Sequence, residues 1–219
     1  MNRTERKTLP RQKQSDGMKR AEVLTRRAVV LSCLHVTAVG LLLACAMPVQ
    51  ATEAAWARLA TGGYTILMRH AQAPGSGDPP GFDINDCATQ RNLSDRGRQQ
   101  AGRVGVRFAA RAVTISAVYS SRLCRALDTA RYAFRTPSAE PLPALDPLPE
   151  DPAERAAMID QVLDIIRSFR GPGNQVMVTH QDNITALTGV ELRAGEVLIV
   201  TPEEGSEYGL KIVARLLLH

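Results

Sequence analysis

Three short apolar runs set the terms on which this chain can fold. Tyr64–Arg69 (YTILMR), Ile115–Ser120 (ISAVYS) and Gln175–Thr179 (QVMVT) are five or six residues long, too short for helices and suited to strands buried on both faces. Helical patterns lie between them. Ser94 stands as a cap before a segment with Asp95 in its first turn and Ala101, Val104 and Phe108 at helical spacing, extending to about Ala112. Arg122–Phe134 reads as a second helix. Asp151-Pro152-Ala153-Glu154 supplies a cap, a proline at the first helical position and a capping-box acid for a third, which runs to about Phe169 before Gly171-Pro172-Gly173 breaks it. Six prolines from Pro137 to Pro152 crowd the connection between the second and third helices. Asp182–Thr188 reads as a short helix stopped by Gly189, and Glu196–Thr201 and Tyr208–Leu218 as closing strands.

Strands that alternate with helices in this way predict an α/β fold, a three-layer sandwich around a mainly parallel sheet. Hydrophobic residues make up 44% of the chain but aromatic ones only 4%, so aliphatic side chains must fill the core. Ligands in such folds bind at the carboxyl ends of the strands. The first run ends in Arg69-His70, the second leads to Ser120-Ser121-Arg122, and the third ends in Thr179-His180. Two histidines and two arginines are therefore expected on one sheet edge.

That set supports a narrow chemistry. Guanidinium groups match the oxygens of phosphate or sulfate with charge-assisted hydrogen bonds and keep their charge at any working pH. One imidazole, kept neutral by flanking cations, can attack phosphorus, while the other stabilises charge on the transferring group. No metal or other cofactor is needed. Zinc is the competing reading of a histidine pair, but it takes three or four ligands and two arginines beside it would repel it.

Four segments resemble, in order, those of the histidine phosphatase superfamily, in the phosphoglycerate-mutase-like branch that includes SixA-type small phosphatases. Leu67–Ala71 (LMRHA) is similar to the strand-end Arg-His motif, Asn92–Ala101 (NLSDRGRQQA) to the following helix start, Val118–Ala130 (VYSSRLCRALDTA) to an S-x-x-x-R-[AC]-x-x-T-A segment, and Val176–His180 (VMVTH) to the last motif. The resemblance spans about Tyr64 to Gly189. It implies a phosphoglycerate-mutase-like fold and a phosphatase that works through phosphohistidine. His70 would be the nucleophile, with Arg69, Arg122 and His180 catalytic and phosphate-binding. Arg122 lies nearest the strand end, and Arg125, one helical turn on, competes for its role.

The resemblance leaves the general acid open. Asp151 and Glu154 act as caps, and Asp182 sits at a helix N-terminus, where the dipole favours its ionised form. Asp146 is the preferred candidate, with Glu150 second; the third reading is no protein acid at all, which suits a phosphoramidate or another good leaving group. His180-Gln181-Asp182 also departs from the family, in which Gly is common after the second histidine.

The charge balance separates the chain into two parts. The total is 27 Lys+Arg against 22 Asp+Glu, but residues 1–51 hold nine basic and three acidic residues, leaving 18 against 19 for residues 52–219. Residues 52–219 are thus near neutral, with Lys211 their only lysine, which excludes nucleic acid as a partner. Residues 1–51 have the layout of an export signal: a basic stretch ending Arg26-Arg27, an uncharged run Ala28–Met47, and Val49-Gln50-Ala51 as a cleavage site. Met18 opens a segment of ordinary signal proportions and is the expected true start. Leu42-Leu43-Ala44-Cys45 resembles a lipobox, so lipidation at Cys45 and an uncleaved anchor stand beside cleavage. Every route places residues 52–219 outside the cytoplasm, in the periplasm or envelope, and touches the membrane only through the leader.

That placement gives Cys87 and Cys124 a meaning, since the other two cysteines, Cys33 and Cys45, lie in the leader. A disulfide is expected between them, with two buried thiols as the alternative. The compartment favours a small phosphorylated substrate, such as an envelope sugar phosphate or glycolipid. Other readings are a protein that only binds a phosphorylated ligand and a phosphotransferase.

Overall fold

The computed structural model describes residues 47–218. Met18, Cys45 and the rest of the expected leader before Met47 lie outside the described residues. The first element among the described residues is a helix that the sequence pattern does not announce, α1 (Met47–Thr61), and the expected cleavage site falls within it. After it come β1 (Thr65–Arg69), α2 (Asp95–Ala110), β2 (Ile115–Ser120), α3 (Cys124–Ala133), β3 (Glu140–Pro141), α4 (Pro152–Ser168), β4 (Asn174–Thr179), α5 (Gln181–Thr188), β5 (Val197–Pro202) and β6 (Leu210–Leu216). Single 3-10 turns lie at Cys87–Thr89 and Pro143–Leu145.

The six strands form one sheet in the order β3-β2-β4-β1-β5-β6. β1, β2, β3 and β4 run parallel, while β5 pairs antiparallel with both β1 and β6. Alternation along each strand builds two cores. Ile66, Met68, Val176 and Val178 face α1, α2 and α3, packing with Trp56, Leu59, Val104, Phe108 and Ala130. Leu67 and Met177 face the other way, onto Leu145, Val162, Ile166, Ile184 and Leu187 of α4, α5 and the second 3-10 turn. The result is the expected three-layer α/β sandwich.

The helix ends are where local chemistry predicts. Ser94 Oγ accepts the Gly97 N–H at the start of α2, and Asp151 accepts the N–H groups of Ala153 and Glu154 at the start of α4. α3 is different: it begins at Cys124, two residues later than the pattern suggests, because Leu123 is extended (φ −63°, ψ 133°). Leu123 offers no side-chain cap, and a distant residue compensates: Gln90 Oε1 accepts the Cys124 N–H at 2.9 Å. Gly97 is fixed by close approach, since a Cβ there would lie 2.1 Å from the Gln72 carbonyl oxygen.

Candidate active site

Strand register brings three strand ends together. Arg69 of β1 pairs with Thr179 of β4, and Ser120 of β2 with Val178. The residues that follow stay in step, with His70 N–H donating to Thr179 O at 3.0 Å and Ser121 N–H to Val178 O at 2.9 Å. His70 and His180 therefore face one another, ring centroids 5.4 Å apart and planes inclined by 61°. Both are buried, with only 4% and 6% of their surface exposed.

His70 is held in one tautomer. Its Nδ1 lies 2.8 Å from the Ala71 carbonyl oxygen; a carbonyl can only accept, so Nδ1 carries the proton and Nε2 the free lone pair. Burial lowers the imidazole from its usual 6.5 to about 4, and the positive charges of Arg125, Arg91 and Arg69 act in the same direction, against a smaller opposing effect of the Ala71 hydrogen bond. His180 is also held well below the usual histidine value, first by burial and then by Arg125, His70, Arg91 and Arg69. Both rings are neutral at pH 7.

The cations around this pair differ in part from those expected. Arg69 is present, its guanidinium anchored by the Leu192 carbonyl (2.6 Å) and more loosely by Gln181 Oε1 (3.5 Å). Arg122 is turned to Asp146. Its Nε donates to Asp146 Oδ2 at 2.6 Å, its side chain is 46% exposed, and its charge is absent from those that perturb either ring. Arg125 takes the place expected for Arg122: it is 3% exposed and is the first cation acting on both imidazoles.

Helix geometry explains the exchange. Side chains one turn apart share a face only if both belong to the helix, and the extended Leu123 turns Arg122 away while Arg125 stays in the first turn of α3. The signal was legible, since in the S-x-x-x-R-[AC] pattern the arginine before Ala126 is Arg125.

Asp146, the preferred general acid, is not free to act as one. Its Oδ1 accepts from Ser121 Oγ and the Arg122 N–H, and its Oδ2 is taken by the Arg122 guanidinium. Glu150, the second candidate, is exposed. Sequence reasoning missed Arg91 and Asp78, both on the long loop after β1. Asp78 binds Arg125 Nη1 through both carboxylate oxygens, at 2.8 and 2.9 Å, and accepts the Arg91 N–H. Arg91 is held by the carbonyls of Ala73 and Gly75. Three guanidiniums thus share the site with Asp78, and the Nε atoms of Arg69, Arg91 and Arg125 are buried without a partner among the described residues. The excess of positive charge suits a dianion.

The same loop is tied to α3 beside Arg125. Cys87 and Cys124 Sγ lie at bonding distance, with Cα atoms 5.7 Å apart. Thr129, from the Thr-Ala end of the third motif, accepts the Ala71 N–H at 2.9 Å and donates to the Arg125 carbonyl, clamping the exit of β1 to α3. Among the described residues, no three of His, Cys, Asp or Glu gather as a metal-ion site.

Residues 65–146 match the model of the histidine phosphatase superfamily, branch 1. Over those residues the chain is similar to that superfamily. That similarity supports an enzyme of phosphatase type. No curated protein matches it. Solved structures do, at low identity. The protein histidine phosphatase SixA complexed with tungstate is 17% identical with TM-score 0.51, the match covering 70% of this chain and 96% of that one. The phosphoserine phosphatase of Entamoeba histolytica, in complex with 3-phosphoglyceric acid, is 17% identical with TM-score 0.52, over 70% and 96%. The alpha-ribazole phosphatase of Shigella flexneri is 15% identical with TM-score 0.52, over 71% and 96%. These likenesses show the phosphoglycerate-mutase-like fold.

Proposed function

We propose that this protein is a metal-independent phosphatase that transfers the phosphoryl group of a small substrate to His70 Nε2 and then to water. The observation that carries the reading is the pairing of a neutral His70, its lone pair on Nε2, with three guanidiniums. In the first step the Nε2–P bond forms as the bond from phosphorus to the leaving atom breaks, while Arg69 and Arg125 neutralise charge on the phosphoryl oxygens and His180 stabilises it from the other side. Water then attacks phosphorus and releases His70.

The substrate is a phosphomonoester or a phosphoramidate. Asp146 and Asp78 are both bound to arginines, which favours a leaving group that departs without a proton from either. The leader, the near-neutral remainder and the cysteine pair support action outside the cytoplasm, where an envelope sugar phosphate or glycolipid would be at hand.

The purified protein should hydrolyse an aryl phosphate in EDTA, with label from a 32P-substrate recovered on protein as acid-labile phosphohistidine. His70→Ala should lose both, with turnover falling at least about 10³-fold, the scale on which loss of a nucleophile acts. Phosphate binding without turnover by the intact protein would mark a binding protein. Preferred transfer to an added alcohol would mark a phosphotransferase.

The Cys87–Cys124 pair is taken to be oxidised in the exported protein. Closing a loop of this length is worth roughly 3–4 kcal/mol on the chain-entropy model, and Cys87 is exposed to reductant. Reduction should therefore lower the unfolding midpoint and raise KM, because the loop that carries Asp78 and Arg91 is freed beside Arg125. Unchanged kinetics and midpoint in reductant would remove any role for the bridge.

A further inference from the structure

The two histidines are held by different partners. His70 is fixed by a backbone carbonyl, whereas His180 Nε2 lies 2.8 Å from Ser121 Oγ, and Ser121 Oγ lies 3.0 Å from Asp146 Oδ1. Counting protons decides the direction of every bond in this chain. A hydroxyl has one proton and two lone pairs. The Asp146 carboxylate, paired with Arg122, can only accept, so the Ser121 proton points to it. The Leu123 N–H fills one Ser121 lone pair at 3.2 Å. The other is left for His180, which must donate from Nε2. His180 Nδ1 then carries the lone pair, and it is buried without a hydrogen-bond partner among the described residues.

The chain of residues is rigidly mounted. Ser121 is fully buried, Asn183 Nδ2 donates to the Asp146 carbonyl at 2.8 Å, and Thr179 Oγ1 donates to the Leu145 carbonyl at 2.6 Å. Residue 146 is thus tied to the same β4–α5 turn that bears His180. The charged and titratable groups acting on His180 are Arg125 of α3, His70 just after β1, Arg91 of the loop and Arg69 of β1.

We infer that Ser121 and Asp146 are positioning residues that lock His180 as its Nε2–H tautomer, so that Nδ1 takes up a proton when a phosphoryl dianion binds and donates it in a hydrogen bond to a phosphoryl oxygen. This deepens the phosphatase reading and rests on it for its meaning, though not for its test. The step is a proton transfer alone: a proton from solvent, or from a monoanionic phosphoryl group, moves to Nδ1 while the Nε2–H···Oγ bond stays in place. The arriving negative charge offsets the three guanidiniums that keep the ring neutral beforehand. A residue that had lost its place as general acid is thereby given another role.

Nitrogen-15 spectra of the histidine-labelled full chain test the tautomer directly at pH 7. The free protein should show His180 with Nε2 protonated and Nδ1 bare, and saturating inorganic sulfate, which brings no proton, should convert Nδ1 to its protonated form. Ser121→Ala should lose the fixed tautomer and lower kcat about tenfold or more with little change in KM, and Ser121→Thr should restore both. A free protein with Nδ1 protonated, an Nδ1 that stays bare with sulfate bound, or a Ser121→Ala variant with wild-type spectrum and kcat would each overturn the inference. Absence of turnover in the wild type with the tautomer as stated would instead fault the phosphatase reading.

Discussion

Arg125→Ala should reduce turnover about 10²- to 10³-fold, the usual cost of one donor aimed at developing negative charge, whereas Arg122→Ala should reduce it by less than about tenfold. The contrast follows from burial and partners. Arg125 is buried beside both imidazoles, and Arg122 is half-exposed and turned to Asp146. Arg125→Ala should also cost stability, about 3–5 kcal/mol, because the buried Asp78 carboxylate would lose its ion pair and keep only the Arg91 N–H. Arg122→Ala leaves Asp146 its bonds from Ser121 Oγ and the residue-122 backbone N–H, so only a partly exposed ion pair worth about 1 kcal/mol or less is lost. Arg125→Lys separates the two effects. It keeps a charge for Asp78 but lacks the planar fork that binds two oxygens at once, so it should fold and remain slow. Steady-state kinetics and urea midpoints of the three variants are the measurement; a larger kinetic loss in Arg122→Ala than in Arg125→Ala would return the phosphate to Arg122.

Stability of the ligand-free protein should fall as pH drops from about 7 toward 4. Burial and the neighbouring arginines lower the His70 imidazole to about 4 from 6.5. Between these values the unfolded chain binds a proton that the native protein refuses, so the unfolded state binds more protons and stability rises with pH across the window. Integrated over it, His70 contributes roughly 3 kcal/mol of acid destabilisation. His180 acts in the same direction, being lowered by the same causes. Glu196 adds a separate loss below its usual 4.5: burial opposes its ionisation, but the hydrogen bonds from Arg215 and the Arg193 N–H outweigh that and lower it. Chemical denaturation at half-unit pH steps should show the slope, and His70→Ala should flatten it between 6.5 and 4. Sulfate should reduce it too, since an anion in the pocket favours the protonated rings. A stability constant from pH 7 to 4.5 would mean that the imidazoles are not buried beside cations in solution.

Much of the site could be read from residue order because it is built from strand ends. Arg69-His70 and Thr179-His180 each close a short apolar run, and in a parallel sheet such ends meet on one edge whatever the loops do. Arg122 and Arg125 part on a local point. Helix periodicity locates a helix but fixes its first residue poorly, and here the start was set by Leu123 and by Gln90 reaching from a loop 34 residues away. Asp146 illustrates a different point, because nothing along the chain shows that Ser121 and Arg122 would occupy both its oxygens. Asp78 and Arg91 lie in a Gly/Pro-rich loop without periodicity, so their arrival beside Arg125 could not be anticipated. α1 was hidden for another reason: few of its side chains are buried, and Ala55, Trp56 and Leu59 hold the helix by packing on Phe108 and the sheet.

The sequence by itself determined the α/β layering and the sheet edge on which Arg69, His70 and His180 meet. These follow from periodicity and from residues placed at strand ends, which act over a few positions of chain. Tertiary structure decided which carboxylates are bound to arginines and which nitrogen of each imidazole carries the proton. Those choices depend on hydrogen-bond partners and charges that converge from distant segments, where a neutral imidazole or a turned guanidinium is fixed by what it meets in space.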